Sequence, residues 1–317
     1  MTHTLDLTQR GKGDNPFCSA LGFGRTLIAI GTTAALMATP IEYLFYVSAA
    51  RPTGRVCENF AGEISLFCVV PNEWLEPTRW VAVATLLIVA SGWRPRYTCL
   101  VHWYVSVSFY SSSNVFDGGD QVAAVITLLI IPICLCDGRR WHWNDQPEVV
   151  IERRLALIAA RISLYSIWLQ ASFIYFHASL SKLAGEEWKN GTAVWYWLSG
   201  VESSFSPPNY ISDAVRTVLS SAIAVQAATW GTLAIEFGIA CCLMARQKIR
   251  MLALALGIAL HGFIALLMGL PGFSCIMGGL LIMYLLRPGD PPVWPSRKTT
   301  MRAKTLSFTQ PIMAVKE

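Results

Sequence analysis

The sequence predicts an all-α, polytopic membrane bundle of about eight transmembrane helices, with both termini in the cytoplasm. Three observations predict it. First, 54% of the 317 residues are hydrophobic and only 14% charged, and the mean hydropathy is +0.45. Soluble domains carry about 25% charged residues. Second, eight apolar stretches approach the ~20 residues that cross a bilayer: 23–46, 78–94, 97–115, 121–137, 155–183, 221–245, 250–270 and 272–287. Third, Lys and Arg are unevenly spread. In this topology 18 of the 25 fall on the inner side, six on the outer side, and Arg161 within a span. Inner loops of membrane proteins show that bias. Low charge with high hydrophobicity excludes a disordered chain. The net charge of +5 sits at membrane flanks rather than on a basic face. The lipid bilayer is therefore the expected partner, and nucleic acid is not.

Taken in order, residues 1–20 are polar and lack the apolar core and cleavage site of a signal peptide. They are read as a cytoplasmic N-terminal segment. Residues 21–288 form the transmembrane domain. Residues 289–317 are polar, with prolines at the start, and are read as a disordered cytoplasmic tail. The first outer loop, 47–77, carries Cys57 and Cys68 in an oxidising compartment, so this pair is a disulfide candidate. Cysteines within the spans read as small apolar filler, and no metal-ligand spacing is present. The segment 97–115 is the most polar, with His102, Ser106 and Ser108, yet Trp103, Val107 and Tyr110 share one helical face. Arg139 to Trp143 reads as an interfacial anchor. Ser206-Pro-Pro-Asn209 breaks the chain before a short membrane-parallel helix from Ile211 to about Ser220.

Ionisable groups inside a bilayer are costly, so each needs a reason. Lys182 ends a long apolar helix. It either snorkels to the interface beside Trp188 or is a partly desolvated amine that acts as a base. His177, five residues earlier, lies about 140° around the helix from Lys182. Asp117-Gly-Gly-Asp120 makes an outer turn. Its carboxylates are either hydrated or, for Asp120, turned inward toward Lys182 or Arg161. Glu236 sits mid-span and needs a partner, for which Arg161 and His261 are the candidates. His261, with Gly262 beside it, is either a satisfied core histidine or part of a site. No Walker loop, nucleophile elbow, zinc-protease motif or dinucleotide fingerprint is present.

Ile174-Tyr-Phe-His-Ala-Ser-Leu-Ser-Lys182-Leu, followed by Trp188, Gly191 and Thr192-Ala193, resembles the signature of HTTM-domain proteins. That superfamily groups the membrane part of vitamin K-dependent gamma-carboxylase with bacterial relatives. Asn114 with Asp117-Gly-Gly-Asp120 resembles its Asn-x-x-x-Gly-Gly-Asp turn. Glu236 and Leu260-His261 resemble polar positions of its later helices. Asn15-Pro16-Phe17, Leu66-Phe67-Cys68 and the short tail are similar to the sporulation-delaying protein B family. That resemblance implies a role in maturing an exported antimicrobial peptide toxin at the bacterial cytoplasmic membrane. It implies as partners the peptide precursor and a small SdpA-like companion protein. The carboxylase resemblance implies that Lys182 is a base and that a reduced quinone is a cofactor. His177 and His261 are expected as its catalytic companions, lining with Asp120 and Glu236 a cavity open to the outer side. Ser181 stands where the carboxylase motif has a second lysine, and the carboxylase's lumenal domain has no counterpart, so glutamate carboxylation is not expected. A non-catalytic scaffold or immunity-type partner and a small-molecule or lipid transporter stand as alternatives.

Overall fold

A computed structural model describes residues 16–47, 54–58, 60–144, 154–204, 209–288 and 290. Most of the expected N-terminal segment and nearly all of the expected tail lie outside the described residues. The described chain is all-helical. Its main helices are α1 (Ser19–Ala38), α2 (Leu75–Ala90), α3 (Pro95–Ser112), α4 (Gly118–Cys136) and α5 (Arg154–Ala184). Then come α6 (Ala193–Ser204), α7 (Asn209–Leu219), α8 (Ala222–Ala240), α9 (Gln247–Leu267) and α10 (Pro271–Leu285). A helix stands at each of the eight expected positions. Five helical stretches are long and apolar enough to cross a membrane: α1, α4, α5, α8 extended to Met244, and α9. α10 is apolar but shorter, with 15 residues.

α5 shows why this is a membrane protein. Leu155, Ile158, Ile162, Tyr165, Leu169, Phe173, Phe176, Leu180 and Leu183 recur three and four apart, and all are exposed, Leu155 at 81%. Leu157, Ala160, Leu164, Ile167, Ala171 and Tyr175 form the opposite, buried stripe. An exposed apolar stripe of this length suits hydrocarbon rather than water. The chain is a multi-pass membrane protein.

α10 is buried on every side from Ile276 to Leu285. A helix that is apolar all round belongs in the middle of a bundle. It lies along α1, where the two backbones nearly touch. A Cβ on Gly24 would stand 2.6 Å from the Gly279 carbonyl oxygen, and one on Gly31 would stand 2.6 Å from that of Gly272. Small residues permit such close approach in membrane bundles. α9 and α4 flank α10, and α5 packs against both α4 and α8. A second apolar cluster joins the C-terminal half of α1 to α2, α3 and the loop that carries Phe67, through Leu36, Phe67, Leu86, Val105 and Phe109.

The first span is shorter than expected. α1 ends at Ala38 because Pro40 lacks an N–H and biases Thr39 toward extended backbone, as its φ of −102° and ψ of 118° show. The helix after the Ser-Pro-Pro break runs from Asn209 to Leu219 rather than from Ile211. Cys57 and Cys68 form a disulfide, with Cα atoms 5.9 Å apart and a sequence separation of 11. Asn114 fastens this loop to the end of α3, donating to the Tyr46 and Gly54 carbonyls. Closing a loop of this length removes about 3 kcal/mol of unfolded-state entropy. We expect Cys57→Ser with Cys68→Ser to destabilise the protein by about 2–3 kcal/mol, read as a lower melting temperature in detergent.

The Arg139–Trp143 segment is a surface belt only in part: Arg140 and Trp143 are exposed, whereas Arg139 and His142 turn inward. Arg139 is buried and forms a forked pair with Asp137 at 2.8–3.1 Å. His142 is also buried, and its backbone N–H donates to Gly92 at 3.0 Å. Only Gly fits at position 92, where φ is +81° and a Cβ would stand 2.5 Å from the imidazole. Burial lowers the His142 imidazole from 6.5 to about 3, and the charges of Arg25 and Arg139 push the same way. The unfolded chain therefore takes up a proton below pH 6.5 that the folded chain refuses until about pH 3. The His142 contribution to stability is complete above pH 6.5 and is lost as pH falls toward 3, by at most about 1.4 kcal/mol per pH unit. We expect melting temperature between pH 7 and pH 4 to fall more steeply for wild type than for His142→Gln.

Candidate functional site

Two helices that are distant in sequence build the site. α5 carries Tyr175, Ser179 and Lys182 on one face, since spacings of four and three keep side chains together. α8 carries Glu236 opposite them. The Lys182 Nζ donates to both Glu236 carboxylate oxygens, each at 2.8 Å. Glu236 is buried, while the Lys182 side chain keeps 27% of its surface open. The ammonium also lies 5.6 Å from the centre of the Trp188 ring, a cation–π distance. Trp188 is itself buried, and its carbonyl accepts from Trp230 Nε1 at 3.2 Å. The turn at Gly191, with φ at +73°, lets the chain pass Trp230.

Beside this pair, the Tyr175 hydroxyl and His261 Nε2 are 2.9 Å apart. Both residues are buried. The His261 ring also meets the Phe273 ring edge-on, with centroids 5.5 Å apart. Its Nδ1 is buried with no hydrogen-bond partner. Tyr175, Lys182, Glu236 and His261 therefore form a polar cluster drawn from α5, α8 and α9. An ion pair removed from water needs geometry of this quality, because desolvation otherwise exceeds the attraction.

The other candidates fall elsewhere. His177 is exposed on α5 and meets Ser181 Oγ at 3.4 Å, so it is not brought into the cluster. Arg161 lies 21 residues before Lys182 on the same helix, a rise of roughly 31 Å, and so it is far from the Lys182–Glu236 pair. Asp120 does not pair with Lys182 or Arg161. Its Oδ2 accepts from the Asp117 N–H at 3.1 Å. Asp117 Oδ1 in turn accepts from the N–H groups of Gly119 at 2.7 Å and Asp120 at 3.1 Å. This is a capping box at the start of α4. Burial pushes the Asp117 carboxyl up, against those two donors. Asn114 serves the loop between α1 and α2, bonding Tyr46 and Gly54. No group of three or more His, Cys, Asp or Glu suited to a metal occurs among the described residues.

Tyr175 is the site residue that sequence reasoning missed. The signal was its position seven residues before Lys182, two turns away on the same face. The sequence offers Arg161 and His261 as partners for Glu236, and the structure gives it Lys182 instead.

No protein-family model matches the chain, and no solved structure matches it. Two curated relatives do. The chain is 37% identical over 273 residues to the uncharacterized protein YitO of Bacillus subtilis (strain 168), covering 86% of each. It is 33% identical over 276 residues to the sporulation-delaying protein SdpB of the same organism, covering 86% of this chain and 82% of the relative. At this identity and coverage, the chain belongs to the SdpB family.

Proposed function

We propose that this chain is a bacterial cytoplasmic-membrane protein that acts in producing an exported peptide toxin of the sporulation-delaying type, and that it acts at the Lys182–Glu236 pair. The observation that carries the reading is the forked contact of a half-open ammonium with a buried carboxylate, 2.8 Å to each oxygen, in a chain related to SdpB. Helices at all eight expected positions and the Lys/Arg bias support eight crossings with both termini inside. The cognate peptide precursor is the proposed substrate, and a small SdpA-like protein the companion.

In the finer reading, the pair moves a proton. As an ion pair, Lys182 holds the proton on Nζ. Transfer to Glu236 leaves a neutral amine, the form that acts as a base. Tyr175 fixes the His261 ring by its hydrogen bond and leaves Nδ1 free for a ligand oxygen. An oxygen of a reduced quinone would satisfy that buried, unpartnered atom. His261 and the face of Trp188 would hold it, and the bound group would supply an acidic hydroxyl.

The test uses cells that produce the cognate precursor, with the chain absent, wild type or Lys182→Arg at matched levels. The secreted product is read by mass spectrometry. Unprocessed precursor without the chain supports the role in maturation. Unprocessed precursor with Lys182→Arg supports the base, since arginine stays protonated. Full maturation with arginine makes the site a charge contact within a scaffold. Full maturation without the chain overturns the reading.

A further inference from the structure

At the end of the bundle where α2 closes and α3 opens, the chain pairs with the segment that follows α4. Trp93 and Trp141 face each other across an isolated antiparallel bridge. The Arg94 N–H donates to the Arg140 carbonyl at 2.8 Å, and the His142 N–H donates to the Gly92 carbonyl at 3.0 Å. A backbone bond of this kind holds the Cα atoms of Arg94 and Arg140 roughly 5.5 Å apart. Arginine side chains are longer than that gap, so both guanidinium groups reach a common ligand. A third arginine stands beside them. Arg96, in the first turn of α3, donates its Nε to the Leu135 carbonyl at 2.7 Å, across the seam between α3 and α4.

Arg94, Arg96 and Arg140 are all exposed. Among the described residues no carboxylate pairs with them. Asp137, three residues before Arg140, gives both oxygens to Arg139. Arg94 is set apart by its backbone as well. Its φ is +42°, and it is the one non-glycine residue with a positive φ among the described residues. A side chain is strained there. Glycine is not, and the chain uses one two residues earlier, at Gly92. An arginine where glycine would sit more easily points to a task for its guanidinium. The surroundings are those of a lipid headgroup. Trp93 and Trp143 are exposed beside the arginines, and tryptophan favours the membrane interface. Leu100, one turn further along α3 on the face of Arg96, and Leu135, in the last turn of α4, are exposed on the membrane side.

We propose that Arg94, Arg96 and Arg140 bind the phosphate of one anionic phospholipid, whose acyl chains lie along the α3–α4 seam over Leu100 and Leu135. Guanidinium forks match phosphate oxygens, and a basic cleft between membrane helices is a recognised form of lipid site. The apolar wall below the arginines favours a lipid over free phosphate, which has no acyl chain to place there.

The experiment uses the purified full chain, delipidated in a neutral detergent. Native mass spectrometry counts bound dioleoyl phosphatidylglycerol and, separately, dioleoyl phosphatidylcholine. One phosphatidylglycerol per chain is expected, bound at least tenfold more tightly than phosphatidylcholine. Melting temperature is expected to rise saturably with phosphatidylglycerol and not with inorganic phosphate at the same ionic strength. Arg94→Gly should weaken phosphatidylglycerol binding about tenfold, the loss of one charge-assisted hydrogen bond. Because glycine relieves the positive φ, the lipid-free variant should melt no lower than wild type, so the loss is not a folding defect. Arg140→Gln should weaken binding similarly. Lys189→Gln makes the same charge change beyond the far end of α5 and should leave the affinity unaltered. Equal affinity for the two lipids, or wild-type phosphatidylglycerol affinity in both arginine variants, would overturn the proposal. Displacement of the lipid by inorganic phosphate would assign the arginines to a free ion and overturn it equally.

Discussion

Lys182→Ala is expected to lower stability by about 2–3 kcal/mol and to abolish toxin maturation. The stability loss follows from Glu236. With Lys182 gone, a buried carboxylate that accepted two bonds of 2.8 Å keeps its desolvation cost without its partner. Breaking a fully buried pair costs about 3–5 kcal/mol. The value here is smaller because the Lys182 side chain is 27% exposed and water screens part of the interaction. Lys182→Met with Glu236→Leu behaves differently. Both charges leave together, and apolar groups of similar volume fill the site. That double variant should melt within a few degrees of wild type. Melting curves of the two single variants, the double variant and wild type form a cycle, and the expected coupling is stabilising.

Gly279→Val is expected to cost about 3 kcal/mol or more, chiefly as lost yield of folded protein. α1 and α10 approach until a Cβ at Gly279 would stand 2.6 Å from the Gly24 carbonyl oxygen. The obstacle is backbone, so no side chain can swing aside. α10 is the central helix, and pushing it from α1 disturbs its contacts with α9 and α4. The neighbouring Gly278→Ala is the control. Its nearest atom is Ile258 Cδ1 at 3.6 Å, an ordinary contact, so this variant should match wild type. Fluorescence-detected size-exclusion chromatography of the two variants measures the difference directly.

The helices were legible in the sequence because the bilayer fixes their length and apolarity. The stripe Leu155, Ile158, Ile162, Tyr165 needs only a helical period to be seen. The end of α1 was misjudged because the apolar run continues past Pro40, and hydropathy does not register a missing N–H. Lys182 and Glu236 each stood out as ionisable groups in apolar segments. Their pairing did not, since 54 residues and two helices separate them, and periodicity says nothing of which helices become neighbours. Tyr175 was hidden by its aromatic ring, which reads as core. His142 was hidden for a related reason. Trp-His-Trp looks like an interfacial belt. His142 is buried because the 138–144 segment folds back beside Gly22 and Gly92, a contact that only the tertiary structure shows.

The most direct test of the Lys182–Glu236 pair as the working site is the secreted peptide from cells carrying Lys182→Met with Glu236→Leu. This variant is expected to fold, so loss of function cannot be assigned to loss of protein. Mass spectrometry should find only unprocessed precursor, at normal levels of membrane-inserted protein. Mature peptide at the wild-type level would contradict the account and leave the pair a structural tie between α5 and α8.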